Sequence, residues 1–159
     1  MSLRAGIGYD IHRVQAGRPL VLGGVRFESD WGLVGHSDAD VLLHAIGDAL
    51  LGAAGLGDLG EHFPPGNPKW RDASSLDLLR IIAERLAEKR ATVVNVDATL
   101  IAESPKLAPH RTEMCANIAR ALAIDPERVS VKATTNEALG SVGRREGLAA
   151  MAVALVDRG

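Results

Sequence analysis

The sequence predicts an α/β sandwich: a mixed four-stranded sheet with three helices packed on one face, plus a short β-hairpin. Three observations predict it. Strand-like and helix-like segments alternate along the chain. The helical segments repeat apolar residues at helical spacing, as in Leu78, Leu79, Ile82 and Leu86. Gly23-Gly24 separates two short apolar runs, which reads as a hairpin turn. Helices on one face leave the other face of the sheet needing cover. Self-association with cyclic symmetry would supply it.

The elements follow in order. Residues 3–13 alternate small or apolar with polar residues, as a strand does. Residues 19–27 hold the hairpin. A helix follows to about Ala54, capped by Ser37 or Asp38, with Val41, Leu42, Ala45, Ile46, Ala49 and Leu50 on its apolar face. Gly55 to Gly60 ends it, glycine supplying the left-handed cap. Pro64, Pro65, Gly66 and Pro68 make 61–73 an irregular loop. Ser74 or Ser75 caps a helix to about Arg90. Thr92–Ala102 is a strand, Pro109–Ala123 a helix, Val129–Thr134 a strand and Gly147–Val156 the last strand.

At 159 residues the chain is long enough for one domain, spanning 1–159, with its own core. The net charge of −2 and the lack of a basic run argue against nucleic-acid binding. A single cysteine, Cys115, excludes an internal disulfide and fits a cytoplasmic protein. No signal sequence and no membrane-spanning run is expected.

The chemistry concentrates in Gly35-His36-Ser37-Asp38-Ala39-Asp40-Val41-Leu42-Leu43-His44. His44 lies one turn into the helix, with Asp40 and Asp48 at i±4 on its face, as for a metal ligand with carboxylate support. The plainer alternative is an N-cap followed by a helix with a buried polar histidine. Asp10 and His12, two apart in a strand, project from one face. Together with His44 they form the three-ligand, open-position set of a catalytic zinc site.

Two later stretches add to it. Pro105 and Pro109 bound a loop whose main-chain groups can read a flat base edge, or which merely joins strand to helix. Thr134-x-x-Glu137 matches a capping box, with Gly140 as an early stop. A helix N-terminus with two threonine hydroxyls would cradle phosphate. Glu137 would either close that box or hold a divalent ion. Asp10, Asp38, Asp40 and Glu137 would repel a polyphosphate unless a cation intervened. With no Walker loop or Rossmann fingerprint, a metal-bridged site is the economical way to hold several phosphates.

Six co-linear segments carry a resemblance: Gly8-Tyr9-Asp10-Ile11-His12, Gly35–Val41 with His44, Gly57-Asp58-Leu59-Gly60, Pro105-Lys106-Leu107, Lys132–Glu137 and Gly143–Gly147. They resemble the 2-C-methyl-D-erythritol 2,4-cyclodiphosphate synthases of non-mevalonate isoprenoid synthesis. The resemblance implies a homotrimer whose sheets face a trimer axis, with each active site between neighbouring subunits. It implies zinc, or another divalent transition metal, on Asp10, His12 and His44, with Ile11 beside the substrate. Ala102, Glu103, Ser104, Pro105, Lys106, Leu107 and Ala108 would form a cytosine pocket. Asp58, Leu59 and Gly60 would meet the ribose. Thr134, Thr135, Asn136 and Glu137 would meet the diphosphate, Glu137 through magnesium or manganese. His36 and Ser37 would meet the methylerythritol phosphate from a mobile loop.

Two segments depart from the family pattern. Phe63-Pro64-Pro65-Gly66-Asn67 stands where relatives carry Phe-Pro-Asp-Thr-Asp, and Ser141 where they often carry an aromatic or large apolar residue. Arg144 keeps the basic residue expected there. The implied activity is a CMP-releasing, cyclising lyase acting on 4-diphosphocytidyl-2-C-methyl-D-erythritol 2-phosphate, with His36 and Thr135 stabilising the transition state. A metal-dependent phosphohydrolase and a non-catalytic cytidine-nucleotide-binding trimer are the alternatives.

Overall fold

A computed structural model describes residues 1–159. The sheet has five strands: β1 (Leu3–Ala16), β4 (Trp31–Leu33), β5 (Ala91–Ile101), β6 (Val129–Thr134) and β7 (Gly147–Arg158). Their order is β4-β1-β7-β5-β6. β1 lies antiparallel to β4 and β7, β7 antiparallel to β5, and β5 parallel to β6. The short strands β2 (Leu20–Leu22) and β3 (Val25–Phe27) make the expected hairpin. The expected four strands become five because Trp31–Leu33 is too short, with Gly32 at its centre, to show alternation. It pairs with the end of β1, which runs three residues beyond the expected limit, to Ala16.

Three long helices cover one face: α1 (Val41–Ala54), α3 (Ser75–Glu88) and α4 (Arg111–Leu122). α1 lies over β1, β7 and β5, while α3 packs on α1 and β5 and α4 on α3 and β6. α1 is buried on nearly all sides, between the sheet and α3. α3 buries Leu78, Leu79, Ile82 and Leu86, the stripe read from the sequence. Residues 61–73 are less irregular than expected: α2 (Leu59–His62) enters them, and a 3-10 turn forms at Pro68–Trp70.

The cap of α1 is Asp40, not Ser37 or Asp38. Its carboxylate accepts from the Leu43 amide at 3.1 Å and from the Gly23 and Gly24 amides at 3.0 and 2.8 Å. One buried side chain therefore caps the helix and holds the hairpin turn. Gly55, at φ 70°, ends the helix as expected. The capping box at Thr134–Glu137 does not form. Glu137 and Ala138 take φ values of 52° and 59°, which no helix start allows. The four-residue α5 (Gly140–Gly143) begins at the glycine expected to be a stop.

β1 and α1 approach closely. A Cβ at Gly6 would sit 2.0 Å from the Ala49 carbonyl oxygen, and one at Gly8 1.8 Å from that of Ala45. The opposite face is open. Ile7, Tyr9, Ile11, Met151 and Val153 are exposed there, with Ile7 facing Val153 and Tyr9 facing Met151 across the β1–β7 pair. This is the apolar sheet face that the helix arrangement left needing cover.

Gly8→Ala should lower the melting temperature by about 5 °C or more, since the added methyl meets backbone that cannot move aside locally. Gly52→Ala is the control. Gly52 is an exposed residue within α1 with nothing near its Cβ position, so alanine should raise stability by about 0.5–1 kcal/mol. Thermal denaturation of the two variants reads both effects.

Candidate metal centre and substrate cavity

The Gly8 contact brings α1 so close to β1 that His44 reaches the strand. Asp10 Oδ2 lies 2.7 Å from His12 Nε2 and 3.0 Å from His44 Nδ1, and the two nitrogens are 3.1 Å apart. Asp10, His12 and His44 form the one cluster of three or more His, Cys, Asp or Glu side chains able to hold a metal ion. Their donor set suits a divalent transition ion: a carboxylate oxygen and two imidazole nitrogens, with room for an exogenous ligand. Tetrahedral zinc spaces its donors by about 3.3 Å, a few tenths of an ångström wider than this cluster. His12 Nδ1–H donates to the Val34 carbonyl at 2.7 Å, leaving Nε2 free to ligate.

The carboxylates that support His44 are not those expected. Asp40 is spent on amides at the α1 N-terminus. Asp48 accepts from the Leu59 amide at 2.8 Å. A position at i±4 fixes the helix face but not where a short side chain turns. Instead Ser37 Oγ and Ser75 Oγ each lie 3.0 Å from His44 Nε2.

Charge follows this geometry. Burial pushes the Asp10 carboxyl up, but hydrogen bonds and charge from His12 and His44 outweigh it and bring the pKa down to about 2. Burial likewise works against charge on His12, and the bond and charge of Asp10 overcome it, so its pKa is raised. Asp40 is pushed up to about 6 by burial and then by the neighbouring Asp38 charge, against three amide bonds. Its protonated form is the one the fold favours, so its share of stability declines as pH rises from the ordinary carboxylate range towards 6.

The cluster opens on a cavity of about 400 Å³. His36, Ser37, Asp58, Leu59, Gly60, Phe63 and Pro65, all expected at the substrate, line it. Asp48, Trp70 and Leu78 line it too, and sequence reasoning did not place them at the substrate. Trp70 had a signal, as one of two tryptophans in an aromatic-poor chain, set in a proline-rich loop. His36 Nε2–H donates to the Asn67 carbonyl at 3.0 Å, which ties the 63–67 segment to the cavity rim. Asp58 caps α2 through the Glu61 amide.

The remaining expected residues lie elsewhere. Ala102–Ala108 and Thr134–Glu137 sit at the carboxyl ends of the parallel pair β5–β6, where Ile101 is in register with Thr134. That is where α/β sheets bind ligands. The two loops are joined, the Ala102 amide donating to the Thr134 carbonyl and the Ala138 amide to Glu103 Oε1. None of these residues lines the metal cavity. Glu137 is exposed, and its backbone N–H donates to Thr135 Oγ1. Ser141 lines a separate cavity of about 260 Å³ with Ile11, His12, Arg13, Glu146 and Gly147. The Arg144 guanidinium pairs with Glu146 at 3.0 Å.

The YgbB family model matches residues 3–157. The chain belongs to the YgbB family. The 2-C-methyl-D-erythritol 2,4-cyclodiphosphate synthase of Symbiobacterium thermophilum is 60% identical over 151 residues, covering 95% of this YgbB-family chain and 96% of that one. The solved bifunctional IspDF of Campylobacter jejuni is 41% identical with a TM-score of 0.95, covering 99% of this chain and 43% of that one. The CDP complex of IspF from Plasmodium falciparum is 34% identical with a TM-score of 0.86, covering 99% and 97%. The YgbB-family chain thus spans nearly the full length of the single-function synthase and less than half of the bifunctional protein.

His44→Ala should abolish zinc uptake with the helix content unchanged, read by elemental analysis and circular dichroism. In the unaltered chain, Asp10 favours a second proton on His12 as pH falls, and a metal must displace it there. Zinc affinity should therefore fall about tenfold per pH unit below the raised pKa of His12 and level off above it. Chelator competition across pH reads the slope.

Proposed function

We propose that the chain converts 4-diphosphocytidyl-2-C-methyl-D-erythritol 2-phosphate to 2-C-methyl-D-erythritol 2,4-cyclodiphosphate, releasing CMP. What carries this reading is the Asp10–His12–His44 cluster at a cavity bounded by Ser37 and Asp58–Gly60, in a chain 60% identical to a synthase of that name. Residues 1–159 form one such synthase domain. Its lone cysteine, half-buried in α4, suits the cytoplasm, and no helix is long and apolar enough to cross a membrane.

Asp10, His12 and His44 would hold a zinc ion, which would supply Lewis acidity for a phosphate oxygen. In the reaction an oxygen of the 2-phosphate attacks the β-phosphorus. The bond from that phosphorus to the oxygen shared with the α-phosphate breaks, and CMP leaves with the electron pair. The substrate is both nucleophile and electrophile, so no protein nucleophile is required. The chain has two tasks. It folds the substrate so that its ends meet, a proximity effect of several kcal/mol at most. It also places N–H and O–H donors where negative charge gathers. Ser37 and His36 line the cavity and serve the methylerythritol phosphate, and Thr135 serves the diphosphate. Glu137, an exposed carboxylate, would hold magnesium or manganese, which would screen the charge of the diphosphate. The 102–108 main chain takes the cytosine, and Asp58, Leu59 and Gly60 take the ribose.

In one chain the nucleotide loops and the metal cavity stand apart, at the ends of different strands. A homotrimer resolves this by placing the 102–108 and 134–137 loops of one subunit against the metal cavity of the next. The same assembly covers the exposed Ile7, Tyr9, Ile11, Met151 and Val153. Ser141 and Arg144 then lie near the shared axis.

Incubation with substrate, zinc and magnesium, followed by mass spectrometry, should give cyclic diphosphate and CMP. Inorganic phosphate in their place would make the chain a phosphohydrolase, and no turnover would make it a nucleotide-binding protein. Mixing inactive His12→Ala and Thr135→Ala subunits should restore about a quarter of the activity, as random pairing of intact half-sites requires. No recovery after verified exchange would place each site within one chain. Glu137→Gln should lose most turnover, recover partly at raised magnesium and keep its zinc. Unchanged magnesium dependence would remove Glu137 from the second metal.

A further inference from the structure

Ser75 is the first residue of α3 and is 1% exposed. Its Oγ meets two partners, His44 Nε2 at 3.0 Å and Asp38 Oδ1 in a short contact. A carboxylate only accepts, so the hydroxyl proton of Ser75 goes to Asp38. Ser75 then faces His44 with a lone pair, and His44 Nε2 must carry the hydrogen. Nδ1, on the side of Asp10 and His12, is left with its lone pair for a metal. Ser37 Oγ, also 3.0 Å from Nε2, cannot fix this tautomer. It accepts from the Ala39 amide, and its own proton is uncommitted.

Asp38 is held in turn. Its Oδ2 accepts from the Ser75 amide at 2.9 Å and its Oδ1 from the Asp40 amide at 3.2 Å. The Asp38 amide donates to the Ala73 carbonyl at 3.1 Å, and the Asp72 amide to the His36 carbonyl at 2.9 Å. The residues that orient His44 therefore also pin the end of the 61–73 segment, whose Phe63, Pro65 and Trp70 line the cavity.

We propose that Ser75 and Asp38 are positioning residues that present His44 Nδ1 to the metal and couple metal loading to the placement of residues 61–73. The proposal rests on the metal reading of the Asp10–His12–His44 cluster. Zinc affinity, measured on the full chain by competition with a chromophoric chelator, separates the two. A wild-type chain that takes up no zinc removes the metal reading and this proposal with it. Given wild-type binding, Ser75→Ala should weaken zinc affinity about 10- to 100-fold, the usual range for a lost partner of a ligating histidine. Ser37→Ala should change it by less than about threefold. Hydrogen exchange supplies a readout independent of activity: zinc should slow the amides of Asp72 and Ser75 in the wild type, and not the Asp72 amide in Ser75→Ala. Should Ser75→Ala fail to fold, Asp38→Asn carries the test with an expected loss of more than about threefold. Unchanged zinc affinity in the variant tested overturns the proposal. So does an equal loss in Ser37→Ala, or zinc-slowed exchange at Asp72 that persists in Ser75→Ala.

Discussion

The structure depends on how closely α1 lies against β1. Gly6 and Gly8 on the strand meet the backbone of Ala45, Ala49 and Ala53 on the helix. Only this absence of side-chain bulk brings an imidazole on the helix close enough to a carboxylate and an imidazole on the strand for the three to hold one metal ion. A metal cluster tolerates displacements of about 0.5 Å. A single methyl at Gly8, 1.8 Å from a carbonyl oxygen, exceeds that tolerance several-fold if the helix moves to admit it. The glycines are therefore part of the site, although they touch no ligand.

Asp40 has a related task. Burying a carboxylate costs several kcal/mol, and its rise to about 6 reflects that cost. Its three amide bonds, each worth about 1.5–3 kcal/mol to a charged group, offset it. They fix the N-terminus of α1 relative to the Gly23-Gly24 turn. The helix thus cannot slide along the strand, and His44 keeps its level opposite Asp10 and His12. Packing sets the distance from α1 to β1, and Asp40 sets its register.

Most of the fold was legible because long elements carry periodicity. The α3 stripe, the hairpin and the four long strands follow directly from spacing. The edge strand Trp31–Leu33 was not legible, because three residues with a central glycine carry no period. The capping box at Thr134–Glu137 misled because the motif specifies side chains, whereas the left-handed conformations of Glu137 and Ala138 arise from tertiary contacts: Glu103 holds the Ala138 amide. At the site, alternation placed Asp10 and His12 on one strand face, while the gap of about thirty residues to His44 was not diagnostic, and donor chemistry and the family resemblance joined it to them. Spacing misassigned the support of His44 to Asp40 and Asp48. Of the two serines that meet His44, Ser75 lies 31 residues away, and only the folded chain brings it there.

The composition of the cavity suits a bound cation. Asp10, Asp48 and Asp58 line it, and no lysine or arginine does. A phosphate entering such a cavity without a cation would meet only like charge and neutral donors. Arg18 donates to the Leu33 and Gly35 carbonyls and Arg85 to His62. An ion held by Asp10, His12 and His44 would supply the positive charge that no lysine or arginine lining this cavity supplies, and the glycine-lined contact beneath those three side chains provides a place for one. A lysine in their stead would bring a single charge on a flexible stem. A divalent ion brings twice that charge at a point fixed by packing, and it keeps a position open for the phosphate oxygen itself.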